Sequence, residues 1–169
     1  MGFRDTSILC KIVLILLILC FCIDLIGFAI PYWSSVDAYI MKINVGLWDQ
    51  CIETSGAKEC ANISDSNVED WFHAVRAFST LSWVFFLVAL VLVIIFVFFK
   101  SDKKVLYVAA ICLSFVGAFC ALIAFAVFAG KLKLKEYNAG FALTIIAFIL
   151  GLIIGVIGIL DCHGVVGGK

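Results

Sequence analysis

The residues best placed to do chemistry in this chain are Cys51 and Cys60, two thiols in one short polar stretch. Cysteines this close in sequence can close a small loop by oxidation, a bond that persists in the secretory lumen or outside the cell and is rare in the cytosol. The competing state is a pair of free thiols. Just beyond them, Asn62-Ile63-Ser64 is an N-glycosylation sequon, used on that same oxidising side; as plain sequence it could also be a polar turn. The other six of the eight cysteines lie in apolar runs or at their ends. Two of them, Cys10 and Cys162, are candidates for S-palmitoylation, against the alternative of buried or free thiols. Catalytic chemistry finds little to work with. His73 and His163 fall at opposite ends of the apolar pattern, so neither a zinc site nor a histidine-based triad is expected. Glu53, Glu59 and Asp65 lack the dense alternation of oxygen ligands that calcium needs, and no glycine-rich phosphate loop occurs. The expectation is no enzyme, no metal and no cofactor.

The elements that must position Cys51 and Cys60 are mostly lipid-soluble. Of 169 residues 65% are apolar, far above the share in soluble domains, which makes this an integral membrane protein. Four apolar runs, at about 8–30, 77–99, 105–130 and 137–160, are each long enough to cross a bilayer as a helix. With so little chain left over, one four-span domain over 1–169 is expected. The first run also fits a cleavable signal peptide in its opening half, but the apolar pattern resumes after Asp24 and no small-residue cleavage site interrupts it. Net charge is zero and the cations are scattered, which argues against nucleic acid as a partner. Orientation cannot be read from them: Arg4, Lys11, Lys100, Lys103, Lys104 and Lys169 on one side balance Lys42, Lys58, Arg76, Lys131, Lys133 and Lys135 on the other. The cysteine pair and the sequon place the large loop, about 33–73, outside and both termini in the cytosol.

That loop is acidic, with Asp37, Asp49, Glu53, Glu59, Asp65, Glu69 and Asp70 against Lys42 and Lys58. Residues Tyr39 to Val45 and Gly46 to Ile52 are rich in aromatic and branched side chains, and predict two extended segments with a turn near Asn44. A Cys51–Cys60 bond would pin the second segment to its neighbour across a turn at Gly56. Small residues recur at Ala147, Gly151 and Gly155, and at Ser114, Ala118 and Ala121. Such stripes let helices approach closely, within the bundle or between copies, with the internal role favoured.

Trp33, the tripeptide Gly46-Leu47-Trp48, the Cys51 and Cys60 pair and Arg76 at the entry to the second span together resemble the claudin superfamily, which includes the peripheral myelin, epithelial membrane and lens fibre membrane proteins. The resemblance covers nearly the whole chain. It implies an all-α membrane protein with a small β cap: a left-handed four-helix bundle under an extracellular antiparallel sheet, with the disulfide between adjacent strands. It further implies that Trp48 anchors the sheet to the bundle and that Arg76 sits at the outer mouth, paired with loop carbonyls or with a carboxylate such as Asp24. The short stretch between Trp33 and Trp48 and the short tail after Leu160 resemble the lens fibre and epithelial membrane branch more than tight-junction claudins, so a scaffold bound through the last residues is not expected.

The expected function is organisation of cell–cell contacts or of a paracellular barrier at the plasma membrane, through the sheet. Expected partners are membrane lipids and copies of itself or related four-span proteins, in the same and the facing membrane. The alternative is an auxiliary subunit that modulates a channel or receptor.

Overall fold

The structure is a computed structural model that describes residues 6–64, 68–98, 104–131 and 136–167. In chain order the elements are α1 (Ile8–Ala29), β1 (Ser34–Ala38), β2 (Met41–Val45), β3 (Asp49–Thr54), β4 (Ala57–Asn62), α2 (Asp70–Phe98), α3 (Lys104–Lys131), β5 (Glu136–Tyr137) and α4 (Ala139–Gly167). Asp65 and the counted cations Arg4, Lys100, Lys103, Lys133, Lys135 and Lys169 lie outside the described residues. All four helices are long and apolar enough to span a membrane. At 22 to 29 residues they run about 33 to 43 Å, against about 30 Å of hydrocarbon.

Each helix turns one stripe inward and leaves its other apolar faces toward lipid. On α1 the stripe is Cys10, Val13, Leu14, Leu17, Cys20, Asp24 and Gly27, a spacing of three and four that puts the carboxyl of Asp24 inside the bundle. Leu17, Phe86, Val93, Ala118 and Ile154 meet at the centre. Gly151 faces Phe86 and Ala118, and Gly155 faces Phe115, so this small-residue stripe is filled by neighbours from the same chain. Ser114 is buried beside them and donates to Ala110 O at 2.9 Å, within its own helix.

Two boundaries depart from the apolar pattern. The second helix begins at Asp70, seven residues ahead of the expected 77, because Phe72, Val75 and Arg76 pack against the sheet rather than lipid. Its acidic first turn suits the positive end of a helix dipole. The fourth begins at Ala139, since Tyr137 belongs to a strand, and continues to Gly167.

The sheet has the order β4-β3-β2-β1-β5, antiparallel throughout its pairings. The expected turn near Asn44 is overturned. Asn44 is mid-strand, opposite Ser35 on one side and Cys51 on the other, while the chain reverses at Tyr39–Ile40 and again over Gly46-Leu47-Trp48. Tyr39 and Ile40 carry none of the usual turn residues, so branched and aromatic composition pointed to a strand where the chain makes a hairpin tip. The turn at Ser55–Gly56 was legible, and Gly56 has the positive φ of 138° that glycine tolerates.

Candidate functional site

The register divides the sheet into two rims. One row, Ser34, Val45, Gln50 and Ala61, lies where the strands meet the helices; the last row, Ala38, Met41, Thr54 and Ala57, ends in the two hairpin tips Tyr39–Ile40 and Ser55–Gly56. The two rows stand four residue rises apart, roughly 13 Å, and the tip residue Tyr39 lies one rise farther, at roughly 17 Å.

The rim at the helices is clamped by three groups. Trp33 is fully buried under the sheet; its Nε1 donates to Gly27 O at 2.7 Å, and its ring meets Phe128 and Phe141 edge to face at 5.0 and 6.4 Å. The indole lies so close to α4 that a Cβ on Gly140 would sit 2.5 Å from Cδ1, and Gly140 N donates to Tyr32 O at 2.6 Å. Gly46 is wedged in the same way: a Cβ there would come within 2.4 Å of Pro31 Cα. Arg76 is buried at the head of α2, where Nε donates to Leu47 O at 2.7 Å and an Nη to Ile63 O at 3.3 Å. Its guanidinium lies over Trp48 and Phe72, at 4.9 and 5.0 Å from the ring centres. One side chain thus holds the β2–β3 turn and the exit from β4 to the same helix. A planar guanidinium with its donors in a fixed fork does this better than the single ammonium of a lysine.

Trp48 packs on Phe28 of α1 at 5.3 Å and faces the Arg76 guanidinium while staying 39% exposed; Trp33 and Leu47 beside it are fully buried. One expectation about this clamp changes. The Asp24–Arg76 pair does not form. Asp24 accepts from Ser82 Oγ at 2.6 Å, nearly two turns farther along α2 than Arg76, or about 9 Å of helix rise. In place of Asp24, Arg76 takes the loop carbonyls of Leu47 and Ile63. Gly140 and Tyr32 are site residues that the linear pattern did not single out, because the bond between them joins segments distant in sequence.

Above the clamp, Cys51 and Cys60 face each other on β3 and β4 and are bonded. Cys51 is buried and Cys60 exposed. Beyond the row Val36, Ile43, Ile52 and Glu59, two rows outward from the disulfide, runs a ladder of alternating charge: Asp37, Lys42, Glu53 and Lys58. Lys42 pairs with Asp37 at 3.7 Å and Lys58 with Glu53 at 3.2 Å, so the four charges cancel. Lys58 also donates to Tyr32 OH. That hydroxyl, and then Glu53, raise the pKa of the exposed Lys58 ammonium above the ordinary lysine value. Asn62 is exposed at the end of β4. Among the described residues no group of three or more potential metal ligands gathers.

The opposite end of the bundle is closed by side chains the motifs did not predict. Ser7 caps α1 by accepting from Cys10 N at 3.0 Å and donates to Asp161 Oδ1 on α4 at 2.6 Å. Tyr107 of α3 stacks on Phe96 of α2 at 5.2 Å. Cys10 is buried within this closure, which hides its thiol from acylation, whereas Cys162 is half-buried.

Clamp, disulfide and spans together agree with the comparison that decides the family: the model of the PMP-22/EMP/MP20/Claudin family matches residues 7–158. The chain belongs to that family. It is a claudin-like, multi-pass membrane protein with a disulfide-bonded sheet at one end. A search of curated proteins finds no match. The family match takes in both halves of the clamp, from the end of α1 to the start of α4.

Proposed function

We propose that this claudin-like protein is non-enzymatic and organises contacts between membranes at the plasma membrane, with the sheet outside and both termini in the cytosol. The observation that carries the reading is a sheet held rigidly at one rim and bare at the other. Arg76, Trp33 and the Cys51–Cys60 bond fix its shape before any encounter, so little ordering is left to oppose association. The disulfide supports an oxidising location for the sheet. Asn62, exposed beside it, is proposed as the glycan site on that face. Membrane lipids and other four-span proteins, this chain's own copies included, are the proposed partners.

Expression in cells without adhesion molecules tests this. The protein should concentrate where two expressing cells touch and should change paracellular resistance. Uniform surface staining with unaltered resistance would sink the reading. A channel co-purifying in fixed stoichiometry would then favour the auxiliary-subunit role.

A further inference from the structure

The bare rim ends in a small apolar knob. Tyr39 and Ile40 project beyond the last paired residues of β1 and β2 and are fully or largely exposed, and Met41 beside them is exposed as well. The adjoining tip, Ser55–Gly56, is small and uncharged. The first charges met on moving back along the strands are those of the Asp37, Lys42, Glu53 and Lys58 ladder, which cancel in pairs.

We propose that the Tyr39–Ile40 tip is a docking element whose partner is the phospholipid surface of an apposed membrane. Size argues for lipid over protein. A stable protein interface needs about 800 Å² from each side, and an aromatic side chain supplies about 150–250 Å², so a convex tip of one aromatic and two aliphatic residues falls well short. A bilayer surface demands no matching shape. It accepts tyrosine with its ring among headgroups and its hydroxyl in water, and aliphatic side chains at the acyl boundary. Charge fits the same partner. A neutralised ladder behind the tip neither repels a zwitterionic surface nor requires an anionic one, so docking is insensitive to salt. A single tip binds weakly, but many copies in one membrane present many tips, and avidity multiplies their effect.

The inference rests on the proposal that the sheet faces outward, and the test separates the two. Full-length protein is reconstituted into vesicles, which are mixed with fluorescent, protein-free phosphatidylcholine vesicles. Co-sedimentation reads capture. Wild-type vesicles should capture the bare ones at low and high salt alike. Tyr39→Ser and Ile40→Ser should each cut capture by about tenfold, while eluting as wild type on gel filtration and keeping the Cys51–Cys60 bond. Capture undiminished in both variants overturns the inference, as does capture abolished by salt. If protein-bearing vesicles join only one another, the partner is a second copy: the lipid assignment falls and the contact function stands. If neither mixture associates, both fall.

Discussion

The two rims of one small sheet follow opposite rules. At the helices every device removes freedom: an indole pressed on a glycine, a guanidinium holding two carbonyls, a tripeptide turn with no room for a Cβ. Roughly 17 Å away, at the tips, Tyr39 is fully exposed and Ile40 largely so. The contrast separates residues that make the shape from residues free to meet something else. Substitutions at the first rim should cost stability, and those at the second should cost only association.

Arg76→Ala is the strongest way to break that division. It leaves Leu47 O and Ile63 O without their charged donor and opens a gap under Trp48, for an expected loss of about 3–5 kcal/mol. Thermal unfolding in detergent micelles should show it, with Arg76→Lys recovering part. Cys51→Ser comes next, at about 2–4 kcal/mol, through a looser denatured-state loop and an unpinned β4. Impaired delivery to the cell surface is the readout, and normal trafficking would contradict a structural bond. Gly140→Ala forces a methyl into the Trp33 indole; displacing it should cost about 1–3 kcal/mol and change tryptophan emission. Tyr39→Ser sharpens the comparison from the other side, with stability expected within about 0.5 kcal/mol of wild type. A large loss there would mean the free rim is part of the scaffold.

Much of the clamp was legible because it is written in residue types that have few other uses in such a chain. A buried arginine next to an apolar run, a Gly-Leu-Trp turn and a cysteine pair each narrow the options sharply. The helices were legible from length and apolarity, since lipid leaves the backbone little choice. Three features resisted for physical reasons. Tyr39 and Ile40 have strand-like side chains, so their hairpin is set by pairing of Asp37 with Lys42 and of Ala38 with Met41, information spread over two strands. The partner of Asp24 depended on how far α2 is shifted against α1, which no local pattern encodes. The Ser7 to Asp161 bond joins residues from opposite ends of the chain, and only the closed bundle brings them together.

The passage from α1 into β1 leaves almost no slack. Ile30, Pro31, Tyr32 and Trp33 bridge helix and strand, Trp33 N donates to Val45 O at 2.8 Å, and Gly46 abuts Pro31. A helix joined this tightly to a sheet acts as a lever. Thicker or thinner bilayers change helix tilt, and the sheet, held to α2 and α4 as well, should follow the tilt of the bundle as a whole. A fluorophore at residue 40 should therefore shift its distance from the lipid surface as acyl chains are lengthened, making the free rim a gauge of membrane thickness.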